Sequence, residues 1–199
     1  MKKILFLLIP AFFFISCASS PEKDRGVESS YTEPVLPETE CFLLDDFESE
    51  NYWYAVKNHW DSEIGPNFSK TAEISRNWKN DNSSLLCSME PAAEDSKCQA
   101  SWCCDVPLLE DWTGFNFIAF DVKNPESFEY ALNFALQGTE KWIWKQTDVI
   151  LVPEGEHTVL FTLENVEKDI LKDVKRIVFQ SLNSNPGGFI YFDNLRLYK

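Results

Sequence analysis

From residue 41 to the end of the chain, the apolar residues fall into many short runs, each cut off by turn chemistry. The runs cover 42–44, 84–89, 115–122, 130–136, 143–152, 158–163, 177–182 and 189–197. Between them stand Asn80-Asp81-Asn82, Asn124-Pro125, Gly138, Pro153-Glu154-Gly155 and Asn185-Pro186-Gly187-Gly188. Glycine, proline and asparagine close turns because they tolerate or preset the dihedral angles that other residues avoid. Regular short strands between such turns predict an all-β sandwich built on one core. One stretch alone has helical spacing: Val166, Ile170, Leu171 and Val174 predict a short crossover helix or loop within 163–174.

The stretch 129–151 shows the strand pattern most plainly. Tyr130, Leu132, Phe134 and Leu136 share one parity, and Ala131, Asn133, Ala135 and Gln137 share the other. Alternate residues of a strand face opposite sides, so one side is large and apolar, the other small or polar. Gly138-Thr139-Glu140 reads as the turn, with glycine taking the positive φ. The return strand carries Trp142 and Trp144 on one side, between Lys141, Ile143 and Lys145. If that side is free, two indoles beside Asn and Gln make a surface for stacking on a flat ligand and bonding its edge. The competing reading puts the tryptophans in the core, where Trp usually lies.

The N-terminus reads differently. Lys2 and Lys3 precede an apolar run, 4–15, too short to span a bilayer, and the run ends at Phe14-Ile15-Ser16-Cys17. This resembles a bacterial lipoprotein signal with a relaxed lipobox. The resemblance implies cleavage before Cys17, lipidation of that residue, and a chain held at a bacterial envelope membrane by its lipid, facing periplasm or exterior. An ordinary cleaved signal is the alternative. Residues 17–40 carry Pro21, Pro34 and Pro37 among small and polar residues, with no period of 2 or 3.6, and read as a flexible tether to a domain at 41–199. Cutting after residue 16 removes two of the 18 basic residues and none of the 32 acids, leaving a formal charge of −16. Such a field repels nucleic acid and anionic headgroups.

Catalytic signatures are missing. His59 and His157 are isolated, and there is no Gly-x-Ser-x-Gly, no phosphate-binding glycine loop and no His-Glu-x-x-His. Glycosidase chemistry needs two carboxyls across a cleft, whereas Glu154 and Glu156 flank a turn glycine. The sequence therefore predicts a protein that is not an enzyme. Lipidation of Cys17 leaves Cys41, Cys87, Cys98, Cys103 and Cys104, an odd number. Cys87 could pair with Cys98 or Cys103 outside the cytoplasm, while adjacent Cys103 and Cys104 face opposite ways and rarely bond each other. The Cys98-x4-Cys103 spacing is wrong for a zinc ribbon.

The two ends of the domain carry a family likeness. It opens on Leu44-Asp45-Asp46-Phe47-Glu48 followed by Trp53, continues with Trp112-Thr113-Gly114-Phe115 through Val122, and closes with Arg176-Ile177-Val178-Phe179-Gln180 and Gly188-Phe189-Ile190-Tyr191-Phe192-Asp193-Asn194-Leu195. Over 42–199 this resembles the galactose-binding-domain-like jelly roll of non-catalytic carbohydrate-binding modules, of the family-four and family-eleven kind. The resemblance implies an oligo- or polysaccharide bound on the concave sheet, with Trp142 and Trp144 as platforms, Asn133, Gln137, Gln146 and Gln180 as flanking hydrogen-bonding residues, and Trp60 at the rim. It also implies a structural calcium ion on Glu48 and Asp193, with Asp46 as a third ligand. Calcium takes six to eight oxygens at about 2.3–2.6 Å, which carboxylates from both chain ends could begin to supply. A structural or adhesive lipoprotein contacting protein through the same fold is the other function compatible with the sequence, since folds host many functions.

Overall fold

A computed structural model describes residues 31–57, 60–61, 65–75, 82–92, 99–105, 108–182 and 186–199, with Trp60 and Asp61 described by their backbone only. Cys17, His59 and Cys98, and the Trp60 side chain, lie outside the described residues.

The chain forms β1 Cys41–Asp45, β2 Trp53–Ala55, β3 Trp60–Asp61, β4 Gly65–Pro66, β5 Ser69–Ser75, β6 Ser84–Met89 and β7 Ala100–Cys104. There follow β8 Phe117–Asn124, β9 Tyr130–Gly138, β10 Ile143–Gln146, β11 Ile150–Val152 and β12 Gly155–Thr162. A single helical turn, α1 Lys168–Leu171, precedes β13 Val174–Ser181 and β14 Gly188–Tyr198. The first sheet runs β12-β8-β14-β6-β5, with β1 also on β14. The second runs β10-β9-β13-β7-β2, with β11 also on β9, and β3 and β4 pair separately. All ladders of the two large sheets are antiparallel. The predicted all-β jelly-roll sandwich is therefore the observed fold, and the weak helical spacing corresponds to α1.

The core lies between the sheets. Tyr130, Leu132, Phe134 and Leu136 of β9 are buried in it, as their shared parity requires. Its centre is aromatic. Phe179 of β13 stacks on Phe192 of β14 at 4.0 Å between ring centroids and on Trp53 of β2 at 4.7 Å, joining the sheets. Trp102 and Trp112 are buried, and Trp112 donates its indole N–H to the carbonyl of Leu109 at 2.7 Å.

Several local expectations change. The turn between β9 and β10 occupies 139–142, and the positive φ falls on Thr139 (66°) and Trp142 (54°), not on Gly138. Gly138 is needed for another reason: a Cβ there would meet the carbonyls of Ile170 at 2.6 Å and Asp173 at 2.8 Å, where the α1 segment crosses the sheet. Cys87 and Cys103 do not pair, because Cys87 faces the core from β6 while Cys103 faces outward from β7. Cys41, Cys87 and Cys103 are free thiols, and Cys104 faces the core, opposite to Cys103. The end of the expected tether lies on the domain. Tyr31 donates to the carbonyl of Thr158, Glu33 accepts from the backbone N–H of Thr158 at 3.0 Å and contacts His157 Nδ1 at 2.8 Å, and Thr39 donates to the carbonyl of Lys199 at 3.2 Å. Side-chain bonds thus clasp the exposed edge of β12, where unpaired strand edges invite mispairing.

Candidate functional site

The outer face of the second sheet follows from strand register. Trp144 of β10 lies opposite Gln137 of β9, and Gln137 opposite Arg176 of β13. One row further, Gln146, Ala135, Val178, Cys103 and Tyr54 line up across β10, β9, β13, β7 and β2. Two residues beyond, Asn133, Gln180 and Ser101 form a third row. The face thus joins residues from 54 to 180 by long-range pairing alone.

Both tryptophans are on the surface, Trp142 46% exposed and Trp144 41%. They do not share one strand face as expected. Trp144 is in β10, whereas Trp142 closes the turn, its N–H bonded to the carbonyl of Thr139 at 3.0 Å. Trp142 is fixed by its surroundings: Gln137 Nε2 donates to its carbonyl at 3.2 Å, and the Arg176 guanidinium carbon lies 5.1 Å from its ring centroid, within cation–π range. Trp144 donates its indole N–H to Gln146 Oε1 at 3.1 Å, which orients that ring.

Arg176 is the hub of the first row. It donates to Gln137 Oε1 at 2.9 Å and forms a two-pronged bond to Asp105, with Nη2 to Oδ2 at 2.9 Å and Nε to Oδ1. Tyr54 donates its hydroxyl to the same Asp105 Oδ2 at 3.0 Å. The bond from Arg176 holds the Asp105 carboxyl below the usual carboxylate range, so it stays an anion. Burial pushes the Cys103 thiol up to about 12, so it stays protonated and is a poor nucleophile or metal ligand. Sequence reasoning missed Arg176, Asp105 and Tyr54. The available signal was Arg176 itself, a charge of opposite parity to Ile177 and Phe179 in an otherwise apolar strand.

The other expected residues separate. Gln137 is half-buried and Gln146 exposed, and both touch the tryptophans. Asn133 and Gln180 are buried, 1% and 4% exposed. Glu48, Asp46 and Asp193 sit elsewhere. Glu48 Oε1 accepts from the Ser83 N–H at 2.6 Å, Asp46 Oδ1 from the Glu48 N–H at 3.1 Å, and Asp193 Oδ1 from the Asn194 N–H at 2.7 Å. Among the described residues no three of His, Cys, Asp and Glu gather so as to hold a metal ion. Asp46 and Asp193 thus each accept from a neighbouring backbone N–H, while Glu48 ties its segment to Ser83, 35 residues on.

No protein-family model matches the chain, and no curated protein matches it. Solved structures do. The family 11 carbohydrate-binding module from Clostridium thermocellum, in complex with a β-1,3-1,4-mixed-linked tetrasaccharide, is similar with a TM-score of 0.58 and 16% identity, covering 79% of this chain and 95% of that one. The Caldicellulosiruptor saccharolyticus module CBM27-1 in complex with mannohexaose has a TM-score of 0.54 and 18% identity, covering 80% and 97%. An exo-β-agarase has a TM-score of 0.57 and 13% identity, covering 78% of this chain but 24% of the agarase. At these identities the likeness shows the fold: a jelly-roll β-sandwich of the kind found in carbohydrate-binding modules.

Proposed function

We propose that this chain is a lipid-anchored, non-catalytic sugar-binding protein of a bacterial cell envelope, taking an oligosaccharide on the outer face of its second sheet. The observation that carries this reading is the exposed pair Trp142 and Trp144, set beside Gln137, Gln146 and the Arg176–Asp105 pair. A pyranose offers an apolar C–H face to an indole and hydroxyls to amides, and this surface offers both partners. Modules of the same fold have been solved with a mixed-linked tetrasaccharide and with mannohexaose. Asp105, paired with Arg176 of this face, is held as an anion and so does not offer a general acid there.

The test is titration of the full chain in detergent with those two oligosaccharides, followed by tryptophan fluorescence and calorimetry. A saturable change is expected with at least one of them. No binding to either, alongside specific capture of a protein partner, would favour the adhesive alternative.

The anchor has its own test. Cys17→Ser is expected to leave an unprocessed or soluble precursor, scored by membrane fractionation and acyl labelling. Normal acylation and membrane retention of that variant would remove the lipid anchor. Calcium is tested by melting the protein with and without a chelator. If Glu48 and Asp193 share an ion, chelator is expected to lower the melting temperature, because a ligand bound only by the folded state stabilises it. Asp193→Ala is expected to abolish that sensitivity, and an unchanged melting curve in chelator would reject the site.

A further inference from the structure

Residues 31–39 are held against the sandwich as a strap. Tyr31 and Glu33 bond the β12 edge at Thr158, and Thr39 bonds the carbonyl of Lys199. The stretch between Cys17 and Tyr31 is therefore 14 residues, 17–30, with a maximum span of about 46–50 Å at 3.3–3.6 Å per residue. The chain joins the domain at one flank. There β11, on the edge of the second sheet, and β12, on the edge of the first, converge on the strap. Tyr31, Thr32 and Pro34 on one side, and Ile150, Leu151 and Leu160 on the other, line a cavity of about 350 Å³. Its rim is aliphatic. Val35, next to Pro34, is 92% exposed, and Val149 and Leu151 are exposed as well. The one charged side chain of 31–37, Glu33, is turned onto His157 at 2.8 Å. Exposed apolar side chains grouped in one place mark an interaction surface.

We infer that this flank is the membrane-facing side of the anchored domain, resting on a bilayer of neutral lipids through Val35, Val149 and Leu151. The inference rests on the lipid anchor proposed above and adds the surface that meets the bilayer. The occupant follows from where the chain leaves the domain. The tether attaches beside these side chains, so an anchor at Cys17 holds them, rather than the far side of the sandwich, next to the lipid. Once Cys17 is in the bilayer, docking of the flank is an intramolecular step, with an effective concentration on the order of mM for a short linker. A contact of three aliphatic side chains, too weak to recruit a free protein, then suffices to orient a tethered one. Neutral headgroups are the fitting surface because the acidic chain repels anionic ones. Docking in this way keeps the tryptophans clear of the lipid. β11 meets β9 at Ala131 and Trp144 meets it at Gln137, six residues on, or about 20 Å along an extended strand.

The experiment reconstitutes the full acylated chain in phosphatidylcholine vesicles whose acyl chains carry a photoreactive group, and maps the cross-links by mass spectrometry. Peptides containing Val35, Val149 and Leu151 are expected to be labelled roughly fivefold or more above those containing Leu108 and Phe189, which are also exposed and apolar. The double variant Val149→Ser, Leu151→Ser is expected to stay acylated, to melt within a few degrees of the wild type because both side chains are exposed, and to lose most of the labelling at Val35. Labelling of the Leu108 or Phe189 peptides as strong as that of the flank, or full labelling retained in the double variant, overturns the membrane face and leaves the anchor standing. A second copy covering the flank would show in sedimentation as a dimer of the unacylated Cys17→Ser chain that the double variant abolishes, and that result overturns it too. If acyl labelling finds no lipid on the wild type, the anchor and this inference fall together, and the oligosaccharide titration is unaffected.

Discussion

Phe179→Ala is expected to destabilise the domain by about 3–5 kcal/mol, toward the upper end of that range for a buried aromatic truncated to alanine. The ring is 1% exposed and meets four aromatic neighbours: Phe192 and Trp53 in stacks, Phe120 and Phe134 edge-on. Aromatic pairs add about 0.5–1.5 kcal/mol beyond the area they bury, so removing the shared ring loses several such terms together. Because Phe179 and Phe192 come from different sheets, the cavity opens at the seam of the sandwich, where neither backbone can close in without shifting its ladder. Domains of this size have about 5–15 kcal/mol of stability in all, so the variant is expected to melt many degrees lower or to be recovered poorly. Thermal melting against Phe189→Ala makes the comparison. Phe189 is also a Phe of a core strand, but its ring is exposed, and its loss is expected to stay within about 0.5 kcal/mol. Equal melting of the two variants would mean that the aromatic stack is not where the sandwich is held.

Most of the fold was legible in the sequence. Alternation in 130–136 assigned the buried side of β9 residue by residue, and the Asn, Pro and Gly clusters marked where strands end. Both signals are local. What was not legible depends on register between distant segments. Tyr54, Asp105, Gln137 and Arg176 meet because β2, β7, β13 and β9 pair in that order, and no short window of sequence records the order. The position of Trp142 was missed for a smaller reason. The turn takes four residues, so β10 begins one residue after the indole, and a positive φ at Trp142 runs against the preference of a bulky side chain. Asn133 and Gln180 had the right type for sugar contacts and the right parity for the outer face. Their burial is set by neighbouring strands and loops, which alternation along a single strand does not report.

Trp144→Ala is expected to weaken oligosaccharide binding by roughly five- to a hundredfold while leaving melting within a few degrees of the wild type. Stacking on an exposed aromatic is worth about 1–3 kcal/mol per base, and a sugar ring is assigned no more than that; at 1.4 kcal/mol per decade this gives the stated range. Stability is spared because the ring is surface-exposed and its one polar bond goes to Gln146, itself exposed and able to turn to water. Trp142 requires a different substitution. Its backbone φ is 54°, which alanine tolerates little better than tryptophan, so Trp142→Gly separates the ring from the strain. That variant is expected to lose affinity to a similar degree and to free Arg176 from its cation–π contact, worth about 0.5–1 kcal/mol at an exposed site. Arg176 keeps its two-pronged bond to Asp105 in the variant, so the rest of the row is expected to stay in place and the affinity loss to report the indole itself. Calorimetry with the mixed-linked tetrasaccharide and thermal melting, run on both variants, read the two effects separately. Lost affinity at normal melting marks the indoles as platforms. Wild-type affinity in both variants would move the binding surface away from this end of the sheet, and a fall of 3 kcal/mol or more in stability would make the rings part of the packing.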